Sequence, residues 1–287
     1  MAISKKGKRI LTIVITIVAI ILILAISLTA FAAVKIHSYM EVTALCGQIQ
    51  AGKDIDTDIA DATTAPLFIR PLLNLIEADI DIPLIEACQA GHIQAVEVLL
   101  DSGADPNFYL DGGWSPMEAA AVSCNRHPEE SLAIMQMLYE HGADIDGYGG
   151  HCSALFWTAS HSIGTSFSDE EIEIMFWLLD NGANPTDEYG NTVMHDVVRG
   201  SHPELVSVLI EHYGLDVNAR GYKQKTPLIS AVCYEVDSQD EQITKEIVTE
   251  MLAHGADASA VDEDGKTAYD YAVERGYDEV AALLDQE

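Results

Sequence analysis

Histidine and cysteine are the residues of this chain whose chemistry could support catalysis or metal binding. The sequence has 10 His and 5 Cys, but they are dispersed, with no H-E-x-x-H motif, C-x-x-C pair, G-x-S-x-G turn or glycine-rich phosphate loop. The acidic run 53–58 lacks the Gly and Glu that a calcium-binding loop needs further along. The pattern therefore predicts a protein that is not an enzyme and that uses no metal and no small-molecule cofactor.

The N-terminal segment differs in charge from the rest of the chain. It contains no acidic residue up to Lys35, and Lys5, Lys6, Lys8 and Arg9 directly precede an uncharged apolar stretch at 10–34. As a helix this stretch reaches roughly 37 Å, which is enough to cross a hydrocarbon core of about 30 Å. The sequence predicts a basic cytoplasmic tail at 1–9 and one transmembrane helix at 10–34. By the positive-inside rule, the remainder is extracytoplasmic and faces a periplasm.

Two alternatives to this topology stay open. The segment Ala30-Phe31-Ala32 resembles a signal-peptidase site, so the apolar stretch could be removed to leave a soluble periplasmic protein. Against cleavage, the apolar region of a signal peptide is usually only about 7–15 residues long. The second alternative reverses the anchor, so that the remainder of the chain faces the cytoplasm.

Acidic residues dominate the chain beyond this segment. The sequence has 46 Asp+Glu against 15 Lys+Arg, which gives a formal net charge of −31. Such a surface repels the phosphates of nucleic acids and attracts basic proteins. The composition therefore excludes a nucleic-acid partner and predicts a protein partner that is basic, besides the lipid bilayer around 10–34.

Two short signatures recur in a fixed order from residue 81 onward. The first opens a helical run six times, at intervals of 33 to 41 residues, as in Ser115-Pro116-Met117 and Thr226-Pro227-Leu228. The second closes an apolar run with Gly-Ala-Asp or Gly-Ala-Asn, as in 99–105 and 178–184. The Ser or Thr before Pro predicts a capped helix start, and the Gly predicts a left-handed residue that ends a helix.

The order and period of these signatures resemble the ankyrin-repeat family over roughly residues 81–287. The resemblance implies an all-α solenoid of helix-turn-helix units with β-hairpin tips, about six in number with the last truncated. His195 then occupies a structural hydrogen-bonding position of the first signature. Residues 35–80 are predicted to form a linker and a degenerate helical cap, and the whole resembles a bacterial membrane-anchored ankyrin protein.

Ankyrin stacks bind partners through their first helices and their tips, so the resemblance implies a partner-binding surface there. The predicted residues are the tip aromatics, the acidic neighbours of the tips and three helix positions: Trp114, Tyr148, Tyr189, Tyr222, Asp111, Asp146, Glu188, Asp264, Gln89, Arg199 and Tyr234. A tip aromatic that packs against its neighbouring hairpin is the competing interpretation. Trp157, Phe176 and Trp177 are predicted to lie in the core.

The predicted function is a membrane-tethered protein-protein interaction module on the extracytoplasmic side that inhibits or neutralises a basic partner. An envelope assembly scaffold is one alternative, and a cytoplasm-facing ankyrin scaffold is another. An enzyme or a ligand-binding module is disfavoured because no convergent polar cluster is visible in the sequence.

Overall fold

The computed structural model describes residues 81–109, 114–147, 153–161, 167–200, 202–233 and 241–285. The predicted tail 1–9, transmembrane helix 10–34 and segment 35–80 lie outside these ranges. Within them, no helix combines the length and the apolar character that crossing a membrane requires.

The described residues form six consecutive pairs of α-helices, here called units 1 to 6. The helices are α1 Asp81–Gln89, α2 Ile93–Asp101, α3 Pro116–Val122, α4 Pro128–Glu140, α5 Ala154–His161, α6 Asp169–Asp180, α7 Val193–Val197, α8 Glu204–Glu211, α9 Pro227–Cys233, α10 Glu241–Ala253, α11 Ala268–Arg275 and α12 Asp278–Leu284. One 3-10 turn, Tyr222–Gln224, precedes α9.

The helices stack in two layers. From α3 to α11 the odd-numbered helices, the first of each pair, contact the next first helix in turn. Second helices contact one another between α2, α4 and α6 and between α8, α10 and α12. Each unit therefore buries its apolar face against its neighbours, as in a solenoid.

Local chemistry explains where the helices begin and end. Ser115 caps α3 with a reciprocal capping box: its backbone N–H donates to Glu118 Oε2 at 2.8 Å, and its hydroxyl accepts from the Glu118 N–H at 3.3 Å. Pro116 opens the helix at no cost in hydrogen bonds. At the other end of a unit, Gly182 has φ of +92°, the left-handed conformation that ends α6. The predicted helix signals are confirmed at these positions.

Small side chains lie between the two helix layers. The alanines at the recurrent helix position, Ala87, Ala120, Ala159, Ala231 and Ala272, are all buried. They allow close approach of paired helices. Larger apolar side chains such as Ile174, Met175 and Leu178 fill the space between successive second helices and are fully buried.

The prediction of β-hairpins is wrong for the three tips that are described throughout, 181–192, 212–226 and 254–267, because they contain no strands. One isolated antiparallel bridge joins Thr186 and Thr192. In this tip the Asp187 carboxylate accepts hydrogen bonds from the backbone N–H groups of Tyr189 and Asn191, each at 2.8 Å. Because a side chain satisfies the amides that a strand ladder would use, the tip closes as a turn.

Candidate functional site

A recess of ≈ 530 Å³ lies on the first-helix side, between the tip that precedes α7 and the tip that precedes α9. It is lined by Tyr189, Asn191, His195, Asp196, Arg199, Tyr222, Lys225 and Ser230. Tips supply the mouth of this recess, and the first helices of units 4 and 5 with the turn after α7 supply its floor.

Two tyrosines form the mouth. The rings of Tyr189 and Tyr222 meet edge to face, with centroids 5.7 Å apart and an interplanar angle of 72°. Asn191 fixes this arrangement, because its Oδ1 accepts from the Tyr222 N–H at 2.9 Å while its Nδ2 donates to Asp187 Oδ2 at 2.7 Å. The side chains of the pair remain 51% and 55% exposed. The contact thus orders two aromatic rings without removing them from solvent.

The floor contains a buried histidine whose two ring nitrogens are both engaged. Nδ1 of His195 accepts from the Thr192 N–H at 3.0 Å, so the neutral ring carries its proton on Nε2. Nε2 then donates to the carbonyl of Lys225 in the next tip at 3.1 Å. Burial lowers the pKa of His195 below its ordinary value. The ring is a structural link between units, and neither nitrogen is available as a general base.

Charged side chains flank this histidine. Arg199 Nη1 donates to Asp196 Oδ1 at 3.2 Å. Burial raises the pKa of Asp196 from 3.8 to about 6, although the Arg199 charge acts in the opposite direction. Lys225 Nζ lies 3.1 Å from Cys233 Sγ and 5.4 Å from the centroid of the Tyr271 ring. The recess therefore combines one carboxyl, two cations and two aromatic rings.

This arrangement suits recognition better than catalysis. Its histidine is not placed to act as a general base, since both nitrogens of the His195 ring are engaged by the backbone. Among the described residues, no group of three or more His, Cys, Asp or Glu side chains is placed to hold a metal ion. Exposed aromatic rings above mixed charges are typical of a surface that anchors a protein side chain.

Asp196→Asn tests the buried carboxyl of the recess. Because its pKa is higher in the folded than in the unfolded state, Asp196 contributes stability that is complete below about pH 4 and is lost as the pH rises through about 6. Urea unfolding measures the free energy of unfolding at about pH 4.5 and at about pH 7.5. Relative to the wild type, Asp196→Asn is expected to be about 1–3 kcal/mol more stable at the higher pH than at the lower pH.

The matched control is Asp270→Asn. Hydrogen bonds from Thr267 lower the pKa of Asp270, so its stabilising contribution is lost only as the pH falls through the lowered value. The difference in free energy of unfolding between Asp270→Asn and the wild type should therefore stay nearly constant between about pH 5 and about pH 7.5. Identical pH profiles for Asp196→Asn and the wild type would contradict the role of the buried carboxyl.

The structure brings three of the predicted site residues together in the recess: Tyr189, Tyr222 and Arg199. Glu188 is exposed beside Tyr189. Asp264 is exposed in the tip before α11, where its N–H donates to Asp262 Oδ1 at 3.0 Å.

The other predicted residues do not join the recess. The ring of Trp114 is half-buried against Trp157, with centroids 6.1 Å apart. The carboxylate of Asp146 accepts from the Asn184 N–H at 2.8 Å and so links two tips. Gln89 is half-buried at the end of α1. Asp111, Tyr148 and Tyr234 lie outside the described residues.

Sequence reasoning missed the polar residues that build the recess, Asn191, Asp196 and Lys225. Asn191 carried a signal, since it follows Gly190 in a turn and an Asn there can bridge to a neighbouring turn. The sequence contains no signal that Asp196 and Lys225 belong to a common site, because only the stacking of units 4 and 5 makes them neighbours. Trp157, Phe176 and Trp177, which were predicted to lie in the core, are only partly buried.

Two stacked layers of short antiparallel helices with projecting tips define a helical repeat solenoid. The family model described as Ankyrin repeats (3 copies) matches residues 62–148 and 165–243, more than half of the chain. The chain belongs to the ankyrin-repeat family. This fold is a typical non-catalytic scaffold for protein-protein interaction.

Individual relatives agree with this assignment. The chain is 26% identical over 200 residues to the ankyrin repeat protein YahD of Escherichia coli (strain K12), covering 69% of this chain and 92% of that protein. It is 29% identical over 174 residues to a transient receptor potential cation channel subfamily A member 1 homolog of Caenorhabditis elegans, covering 52% of this chain but 14% of the channel. The crystal structure of the human ASB11 ankyrin repeat domain has a TM-score of 0.56 at 24% identity, covering 70% of this chain and 82% of that domain.

Proposed function

We propose that the protein is a membrane-tethered ankyrin module that binds and neutralises a basic protein partner on the extracytoplasmic side. The observation that carries the binding role is the exposed Tyr189–Tyr222 pair above the recess. Aromatic side chains held in place by a scaffold give large contact area at a small cost in conformational entropy, which is typical of binding hot spots.

The basic character of the partner is supported by charge. A formal net charge of −31 attracts a positively charged protein and raises its association rate. Tethering is supported by the apolar stretch at 10–34 with its basic N-terminal flank. An envelope scaffold that docks a neighbouring membrane protein, or a scaffold that faces the cytoplasm, would use the same recess.

Affinity capture tests the recess. The full chain, tagged after Glu287, is isolated from its own cells by mild detergent extraction, and the proteins that co-purify are identified. A basic protein is expected with the wild type and is expected to be absent with the double variant Tyr189→Ala/Tyr222→Ala. The matched control is Tyr269→Ala, since Tyr269 is an exposed tyrosine of α11 that does not line the recess.

Capture that survives the double variant would remove the recess from the proposal, and capture of acidic proteins alone would remove the basic partner. A reporter fused after Glu287 tests the topology. We expect activity from an enzyme that needs the oxidising exterior and none from a reporter that matures only in the cytoplasm. The reverse result would favour the cytoplasm-facing scaffold.

A further inference from the structure

A row of aromatic side chains crosses the second-helix layer of units 2 to 4, away from the recess. The rings of Tyr139 and Trp177 meet edge to face at 5.8 Å and 87°, and those of Phe176 and Tyr213 stack at 5.8 Å and 25°. These four residues are called the aromatic strip. Because Phe176 and Trp177 are adjacent on α6, one ring contacts the preceding unit and the other contacts the following unit.

The strip is not part of the buried core. On α6 the fully buried side chains are Ile174, Met175 and Leu178, while Phe176 and Trp177 are only partly buried. Tyr139 is 40% exposed. The other three rings are partly exposed, and each ring pair joins two successive units, so that aromatic surface remains accessible at two neighbouring places on the second-helix layer. Accessible aromatic surface of this kind is typical of interaction sites.

The surroundings of the strip are acidic. Glu140 and Asp180 are exposed next to Tyr139 and Tyr213, and the Tyr213 hydroxyl donates to Asp180 Oδ1 at 2.9 Å. This bond keeps a carboxylate at the edge of the ring. Burial, as the larger cause, and this hydrogen bond together raise the pKa of Tyr213 to about 12, so that the hydroxyl stays protonated.

Negative charge is denser in the second helices than in the first helices. Each of the six second helices described here contains at least two acidic residues, and Lys245 is the single basic residue among them. The first helices together contain fewer acidic residues than the second helices, and α5 and α9 contain none. Most described cations lie in or next to the first helices and tips: Arg199, Arg220, Lys223, Lys225, Lys266 and Arg275. A basic segment is therefore attracted to the second-helix layer more than to the recess.

We propose that the aromatic strip binds an arginine-rich segment of the basic protein partner. Arginine suits this surface because its planar guanidinium stacks on aromatic faces and also forms bidentate hydrogen bonds with carboxylates. Lysine supplies the charge without the planar stacking. The carboxylates disfavour nucleic acids and anionic lipid headgroups. This inference rests on the proposed basic partner and assigns only its arginine-rich segment to a surface other than the recess.

A peptide titration tests the strip. The probe is a fluorescein-labelled peptide of alternating Arg and Gly, added to the full chain in detergent at low salt, with fluorescence anisotropy as the readout. Two matched peptides replace every Arg by Lys or by the neutral isostere citrulline. We expect the arginine peptide to bind about tenfold more tightly than the lysine peptide. The citrulline peptide is expected not to bind.

Two variants locate the site. Tyr139→Ala removes an exposed ring, and Trp177→Leu replaces a ring by an apolar side chain that keeps the unit packed. Each is expected to weaken binding of the arginine peptide about tenfold, whereas Tyr189→Ala/Tyr222→Ala should change it less than about twofold. Unfolding curves identify a variant that has lost its fold, and Tyr139→Ala then decides the outcome.

Equal binding by both strip variants and the wild type, or equal binding of the lysine and arginine peptides, would overturn the inference. Those results would leave the proposed function standing, because affinity capture through the recess is measured independently. Conversely, capture that survives the recess double variant would remove the recess from the proposed function and would leave the inference about the strip standing.

Discussion

Replacing His195 by Ala is expected to lower the free energy of unfolding by about 3–4 kcal/mol. The substitution leaves the Thr192 N–H and the Lys225 carbonyl without the ring that joins them, and it opens a cavity where a side chain is 4% exposed. Because the second of these bonds crosses from unit 4 to the tip of unit 5, the loss should reduce coupling between units. Urea unfolding followed by circular dichroism measures the change.

Two comparisons make this prediction specific. His212→Ala removes an exposed histidine and should cost less than about 1 kcal/mol. The pH dependence provides the second comparison, since burial lowers the pKa of His195 in the folded state. The stabilising contribution of the neutral ring is present above its ordinary pKa of about 6.5 and is lost as the pH falls below it. The free energy of unfolding of His195→Ala should therefore fall less steeply than that of the wild type as the pH is lowered. An equal pH dependence of the two proteins would contradict the argument.

Gly221→Ala is expected to cost about 2–3 kcal/mol and to disorder the mouth of the recess. A Cβ at Gly221 would lie 2.1 Å from Asn191 Oδ1 and 3.0 Å from His195 Nε2. The Asn191 side chain would have to move, and its hydrogen bond from the Tyr222 N–H would break. The measurements are urea unfolding and, for the mouth, the loss of partner capture that the tyrosine double variant also gives.

The control for Gly221→Ala is the same substitution in an Asn191→Ala background. Removing the Asn191 side chain takes away the atom that the new methyl group would meet most closely. In a double-mutant cycle the two changes should therefore be less than additive by about 1 kcal/mol or more. Strict additivity would mean that the close approach of the two tips does not limit the size of residue 221.

Much of the fold was predictable because its signals are local. The capping box of Ser115 and Glu118 and the left-handed Gly182 depend on residues a few positions apart, so a short stretch of sequence defines each helix end. The strand prediction failed at the tips, where Asp187 hydrogen-bonds to its own turn and takes the place of a strand ladder. That choice depends on side-chain geometry that the repeat pattern does not specify.

The candidate site was predictable only in part. Tyr189, Tyr222 and Arg199 were identified because their positions in the repeat face the first-helix side, and the structure places all three at one recess. Their partners Asn191 and Lys225 were missed, since each belongs to a tip and acquires its role from the adjacent unit. The acidic tip residue Asp146 links two tips instead of projecting freely, because its carboxylate accepts from the Asn184 N–H.

The sequence by itself determined the class of fold, the order of the helices and the strong excess of negative charge, because these follow from local signatures and from composition. Only the tertiary structure decided which faces carry that charge and which rings stay exposed. Phe176 and Trp177 are large apolar residues of a type that is usually buried, yet Ile174, Met175 and Leu178 occupy the buried side of α6 and leave the two rings only partly buried. The physical reason is that burial depends on how neighbouring units pack, and residues from different units become neighbours only when the stack forms.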